Sequence, residues 1–335
     1  MKVFYLANTE SRNFEGRTQI STEIKKYLVE NNIIFVSNPY DADLIHVHSS
    51  GIFDSYKAYK LKKKYKKPCI FSLYSISETK LLGHFLNYYT QKIITKKFKG
   101  NFILSSSASI PIKIRGLFLK KLDCAVVASE YSRKKLYPNT RLINFGIDVN
   151  KFKPIEINKN EKIKVGFFGH PSATKGITDF IKATKFFSKD LEIYLYSSRC
   201  PEELVQYTRK HSKSIKVVGF VEDINLAYNQ MDIIVLPYRN SLGAISNPLV
   251  LLEAMATSSA VVTTDLPYIK EIVNNSAIIT KPYSPKILAK TVNDLALDPK
   301  LRKDLGLKAR KIIIEKYDKD IMLKKYLELY QNFLK

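Results

Sequence analysis

Two turns in the second half of the chain carry residues of the types and spacing needed to hold a phosphate. The first, "GFFGHPSATKGI", follows a strand-like apolar run. Gly169 lets the backbone approach a ligand, Lys175 supplies a positive charge, and a helix beginning near Lys175 offers N–H groups to an anion. It is neither a Walker pattern nor a GxGxxG fingerprint, and an ordinary turn accounts for the same residues. The second, "SNPLVLLEAMA", puts Asn247 and Pro248 near a helix N-terminus, where proline suits the first turn and the N–H groups of Leu249 and Val250 face an anion site. Glu253 lies about one turn further in, on an otherwise apolar run. A carboxylate there can accept paired hydrogen bonds from a ribose diol. A charge–dipole interaction in the helix's first turns, worth under ~1 kcal/mol, explains it equally well.

Such turns act only if parallel strands aim them at one crevice, so the surrounding pattern matters. From "KVFYLAN" through "DLIHVHSS", "PCIFSLYS" and "CAVVASE", short apolar runs alternate with helical patterns such as "TQISTEIKKYLVENN". The polar segment "DVNKFKPIEINKNEKI" reads as a linker. The alternation then restarts with "KVGFFGH", "EIYLYSS", "IKVVGF", "IIVLPY" and "AVVTTD". Runs apolar throughout and separated by helices argue for parallel strands covered on both faces. The expected organisation is an α/β pair of doubly wound domains facing across a cleft. The N-terminal domain is expected over residues 1–148, the linker over 149–162 and the C-terminal domain over 163–318. The amphipathic segment 319–335 is expected to cross back as a helix onto the N-terminal domain.

The chain has 335 residues with 45% hydrophobic and 26% charged, a globular composition. No apolar stretch approaches the ~18 residues of a membrane span, and "MKVFYLANTE" lacks the apolar segment of a signal peptide. Cys69, Cys124 and Cys200 are scattered, which suits neither a disulfide framework nor a metal site and points to a reducing cytoplasm. The net charge of +24 fits a surface that meets anions, or a lysine-rich solvated one. There is no reading helix, RNP-like motif or zinc module, so nucleic acid is not an expected partner. The alternation of His46 and His48 in "LIHVHSS" is read as putting the two rings on opposite sheet faces, unable to share a metal, with His46 packed in the core and His48 nearer the cleft. Glu130 and Glu271 show no partner acid.

In order and spacing, "DLIHVHSSG", "DCAVVASEYSRKKL", "NFGIDVNKFKP", "VGFFGHPSATKGI", "VVGFVEDINLAYNQMDIIVLPY" and "PLVLLEAMATSSAVVTTDLPYIKEIV" resemble the GT-B glycosyltransferases of family 4. The resemblance covers nearly the whole chain, least well between residues 75 and 120. It implies metal-independent transfer with retention from a UDP- or GDP-sugar to a lipid-linked or surface-glycan acceptor. The nucleotide-sugar is then a substrate, with no cofactor. It also implies roles: Lys175 grips the diphosphate, Glu253 holds the ribose, Leu249 and Val250 offer backbone N–H groups to phosphate, the turn around Phe220 receives the base, and Gly16 in "FEGRTQ" lets the diphosphate approach the first helix. His48 and Tyr74 are the acceptor-side candidates. Three positions depart from the pattern: Ile245 replaces a glutamate, His170 replaces an arginine, and Tyr74 or a neighbour replaces a histidine. Ser246 and Asn247 are then the groups left to hydrogen-bond the sugar. These departures also allow a silent scaffold that binds nucleotide-sugar or serves as a partner subunit.

Two basic-aromatic stretches, "YKAYKLKKKYKK" and "ETKLLGHFLNYYTQKIITKKFKG", raise a membrane surface as a further partner. Leu81, Leu82, Phe85, Tyr88 and Tyr89 fall at helical spacings beside Lys92, Lys96, Lys97 and Lys99. That pattern suits an interfacial helix on an anionic membrane, peripheral to the cytoplasmic face, and equally suits a helix packed on a sheet.

Overall fold

The computed structural model describes residues 1–7, 16–49, 52–73, 81–96, 116–136, 139–157, 162–241 and 247–333. The apolar runs of the first half form a six-stranded, all-parallel sheet. Its strands are β1 (Lys2–Ala7), β2 (Ile34–Val36), β3 (Leu44–Ser49), β4 (Cys69–Leu73), β5 (Cys124–Val127) and β6 (Thr140–Leu142), ordered β2-β1-β3-β4-β5-β6. Every residue of β3, β4 and β5 is buried, as strands covered on both faces require. The helices of this half are α1 (Gly16–Glu30), α2 (Ile52–Tyr65), α3 (Leu81–Thr95) and the short α4 (Glu130–Lys135).

The second half repeats the plan with β7 (Lys164–Phe168), β8 (Glu192–Tyr196), β9 (Ile215–Val218), β10 (Ile233–Leu236), β11 (Ala260–Thr264) and β12 (Ile278–Thr280), ordered β12-β11-β10-β7-β8-β9. Its helices are α5 (Ile177–Ala183), α6 (Glu202–His211), α7 (Ile224–Asn229), α8 (Leu249–Ala256), α9 (Pro267–Val273), α10 (Pro285–Ala296) and α11 (Pro299–Lys316). The strand order reverses between β10 and β7, which pair Ile233 with Val165 and Ile234 with Gly166. Connections leave on opposite sides there, so a crevice opens at the strands' carboxyl ends. No described helix is long and apolar enough to cross a membrane.

The chain passes between the halves twice, and the two passages are tied together. The Ile147 N–H donates to the Tyr317 carbonyl (2.9 Å), the Lys319 N–H donates to the Ile147 carbonyl (2.8 Å), and Lys319 Nζ meets Asp148 at 2.7 Å. A Cβ on Gly146 would lie 2.6 Å from Asp318 backbone atoms, so glycine permits this approach. Arg310 gathers the linker by donating to the carbonyls of Val149 (2.9 Å), Phe152 (2.5 Å) and Ala256 (2.9 Å).

The final helix, α12 (Lys319–Gln331), returns to the N-terminal half. Met322, Leu323, Tyr326 and Tyr330 are buried in one core with Val3, Ile20, Ile24 and Leu28. Beneath it lie His46 and His48, and here the expectation from sequence fails: their ring centroids are 4.0 Å apart. Residues two apart on a strand share a face, so the pair stands side by side under α12. His46 bonds Tyr330 Oη (2.5 Å) and Ser72 Oγ (2.8 Å), and Ser72 Oγ bonds Tyr326 Oη (3.1 Å). Burial holds both imidazoles neutral, with His48 lowered to about 3 and His46 lowered well below its ordinary value by burial and by His48. At 1% exposure, His48 belongs to this core rather than to the lining of the cleft.

Helix α3 lies within the range expected for the N-terminal domain yet packs on the other one. Ile94 is buried in the core of the C-terminal half, with Phe167, Ile177 and Leu204 among its members. The opposite face leaves Leu82, Phe85, Leu86, Tyr89 and Ile93 exposed.

Candidate nucleotide-sugar site

The reversal between β7 and β10 brings two loops together. After β7 the chain turns at Gly169, whose φ of +150° favours glycine. A short 3-10 turn, Ala173–Lys175, then leads into α5 through Gly176. Gly176 has φ +74°, and a Cβ there would overlap the Pro237 carbonyl just beyond β10. The Arg239 N–H also donates to the Thr174 carbonyl at 2.9 Å. The loop that carries Lys175 is therefore packed directly onto the loop after β10.

Between them stands Tyr238. Lys175 Nζ lies 5.0 Å from its ring centroid, a cation–π distance. Burial raises the Tyr238 phenol well above its ordinary value, with Tyr268 and Glu253 adding to the effect. Tyr228 Oη donates to Glu253 Oε2 at 2.8 Å, fixing one carboxylate oxygen. Burial raises the Glu253 carboxyl, opposed by the Tyr228 hydrogen bond and by Lys151. Lys175 and Glu253, 78 positions apart in sequence, thus follow β7 and β10, the two neighbouring strands at which the order reverses.

Leu249 and Val250 open α8, whose first-turn N–H groups have no carbonyl within the helix; Pro248 is its cap and provides no side-chain hydrogen bond. Asn247 is buried, and its Oδ1 accepts the Phe145 N–H at 3.2 Å, so this oxygen holds the interdomain passage. That use competes with the sugar contact expected of it. His170 is exposed beside Ser198, with Nδ1 3.4 Å from Oγ. Phe220 is 71% exposed just after the edge strand β9, two strands or about 10 Å from the β7 turn. Gly16 begins α1. Tyr74, Ile245 and Ser246 lie outside the described residues.

Arg239 and Asp179, not singled out from sequence, support the site. Arg239 is buried and forks onto Asp179, with Nε and Nη2 each 2.7 Å from a carboxylate oxygen; Nη2 also reaches Thr178 Oγ1 (2.6 Å) and Nη1 Thr90 Oγ1 on α3 (3.2 Å). Its position directly after a buried strand was the available signal. Glu271 on α9 accepts the N–H groups of Glu130 (2.6 Å) and Tyr131 (3.1 Å), so the two glutamates meet as a carboxylate on a helix first turn rather than as paired acids.

Residues 162–298, which contain both loops of the crevice, match the family model described as glycosyl transferases group 1. Over that stretch the chain is similar to the group 1 glycosyltransferases. Among its relatives, a capsular polysaccharide biosynthesis glycosyltransferase, CapM, of Staphylococcus aureus is 25% identical over 264 residues, covering 75% of this chain and 66% of the relative. An N,N'-diacetylbacillosaminyl-diphospho-undecaprenol alpha-1,3-N-acetylgalactosaminyltransferase of Campylobacter jejuni is 25% identical over 255 residues, covering 71% and 62%. The chain thus spans just under two thirds of the length of these relatives. The solved structure of Anabaena Alr3699/HepE with UDP shares the two-domain fold, with a TM-score of 0.75, 15% identity, and coverage of 99% of this chain and 100% of that one.

Proposed function

We propose that this chain is a retaining, metal-independent glycosyltransferase that moves a sugar from a UDP- or GDP-sugar to a lipid-linked or surface-glycan acceptor. The observation that carries this reading is the packing of the Lys175 loop onto the loop after β10 where the strand order reverses, with Glu253 on the helix that follows. A diphosphate placed over the β7 turn meets Lys175 and the first turn of α8. Glu253, with one oxygen held by Tyr228, keeps acceptor capacity for a ribose diol.

When the bond from sugar to diphosphate breaks, negative charge accumulates on the leaving phosphate. Lys175 and the oriented N–H groups of Leu249 and Val250 stabilise that charge without reorganising. The partly buried surroundings strengthen each interaction and keep out water, which otherwise competes as acceptor. Neighbours add support: Alr3699/HepE has been solved with UDP and with UDP-glucose, and the Campylobacter relative is named for a diphospho-undecaprenol acceptor.

An acceptor at a membrane fits the outer face of α3. Leu82 (71% exposed), Phe85, Leu86, Tyr89 (60% exposed) and Ile93 run along it beside Lys92 and Lys96. Such a face suits the cytoplasmic surface of an anionic membrane.

The test is a donor screen that reads nucleoside diphosphate release, with and without lipid extract, in excess chelator. Release from one donor that lipid accelerates and chelator leaves unchanged is the expected result. Loss in chelator with recovery on adding manganese or magnesium defeats the metal-independent mechanism. Nucleotide binding with no turnover on any donor marks a silent scaffold.

A further inference from the structure

The inner face of α3 does more than bury Ile94. Gln91 straddles the loop between Gly169 and Lys175: its Nε2 donates to the Pro171 carbonyl (3.0 Å) and its Oε1 accepts the Ala173 N–H (2.8 Å). One side-chain amide thus satisfies a backbone acceptor and a backbone donor on either side of Ser172. One turn of 3-10 helix separates Ala173 from Lys175. The neighbouring Thr90 accepts from Arg239, which is itself fixed by Asp179 and Thr178 on α5. Both loops of the crevice are therefore registered against one helix contributed by the other half of the chain.

We propose that Gln91 is a positioning residue for the diphosphate loop, acting from the N-terminal half across the cleft. The proposal rests on the nucleotide-sugar reading above. Two further bonds tie the start of the 169–175 loop to β8 and the turn after it: the Gly169 N–H donates to the Tyr196 carbonyl (3.1 Å), and His170 Nδ1 lies 3.4 Å from Ser198 Oγ. The rest of the holds within the loop are short-range. The Ser172 N–H donates to the His170 carbonyl (2.7 Å), the Lys175 N–H to the Ser172 carbonyl (3.1 Å), and Ser172 Oγ bonds Thr174 Oγ1 (2.8 Å). These bonds shape the turn without fixing where it stands on the domain. The Gly169 N–H secures its start on β8, the Arg239 N–H secures its far end at Thr174, and Gln91 holds the middle, at Pro171 and Ala173, against the other half of the chain. A glutamate at 91 has no N–H for the Pro171 carbonyl, and a methionine keeps the volume while losing both bonds.

The test compares wild type with Gln91→Met, measuring binding of UDP and GDP and of the parent nucleosides uridine and guanosine. With two hydrogen bonds of ~1 kcal/mol net lost, affinity for the bound diphosphate falls by up to about thirtyfold. Nucleoside affinity stays unchanged because the base side of the site is untouched, while the thermal midpoint falls slightly because the Ala173 N–H and the Pro171 carbonyl lose their partner. A merely structural role for Gln91 predicts diphosphate and nucleoside affinities falling together, and that result overturns the proposal. An unchanged ratio of diphosphate to nucleoside affinity overturns it too, while leaving the functional reading in place. If the wild-type chain binds neither diphosphate, the functional reading fails and the proposal with it.

Discussion

Replacing Gly176 by alanine tests how tightly the two loops of the crevice are locked. The added Cβ would overlap the Pro237 carbonyl oxygen and stand 2.7 Å from its carbon, where ordinary carbon contacts are ~3.5–4.0 Å. Relief requires the loops to part by about 1 Å. The φ of +74° adds a conformational cost of ~1–2 kcal/mol for any residue with a side chain. Lys175 is the adjacent residue and moves with the loop. A displacement of that size at a reacting centre can cost roughly 10²-fold in rate. Donor turnover measured beside the thermal midpoint is the assay. The expected outcome is a folded protein with a lowered midpoint and turnover reduced about 10²-fold. Turnover within twofold of wild type refutes the claim that this contact sets the position of Lys175.

Lys175→Ala and Glu253→Gln should each lower donor turnover by ten- to a hundredfold, since a hydrogen bond to a charged group is worth ~1.5–3 kcal/mol; circular dichroism should be unchanged, and wild-type turnover at limiting donor for both variants would discard the assigned site. Glutamine at 253 still accepts from Tyr228, which keeps that phenol from being left buried and unpaired. Stability should fall on acidification below pH 6.5, the ordinary histidine value, towards about 3, the value of His48, because the unfolded chain takes up protons that the buried imidazoles refuse. At pH 5 the loss is about 2 kcal/mol for each histidine held neutral, read from urea unfolding at pH 7 and 5; equal stabilities would contradict the burial of the pair. Cosedimentation with vesicles should rise with anionic lipid content and fall with salt, and Lys92→Gln with Lys96→Gln should weaken it; equal partitioning to neutral and anionic vesicles would remove the membrane from the account.

The alternation of uniformly apolar runs with helices made both sheets readable, because strands buried on two faces need apolar residues throughout. The placement of Lys175 and Glu253 was readable for a related reason: each comes after such a strand, on the loop or helix that follows its carboxyl end. What joins the halves was not. An amphipathic helix records that one face is covered but not by what, so nothing in "LLGHFLNYYTQKIIT" announces that Ile94 enters the C-terminal core. Glu271 serves the first turn of α4 from 141 positions away, and its partners are backbone N–H groups that every sequence supplies. The histidines failed for another reason: strand alternation has a period of two, which puts His46 and His48 together.

The return of α12 sets the order in which this protein can be completed. His46 and Tyr330 bond each other across 284 positions. At ~5–20 residues per second, a ribosome takes about 14–57 s to travel that far. Throughout that interval the surface formed by Ile20, Ile24 and Val3 waits without Tyr326, Tyr330 and Met322 to close it. The half of the protein made first is therefore sealed last. Nascent chains stalled ahead of residue 319 are expected to leave that apolar seam open to solvent.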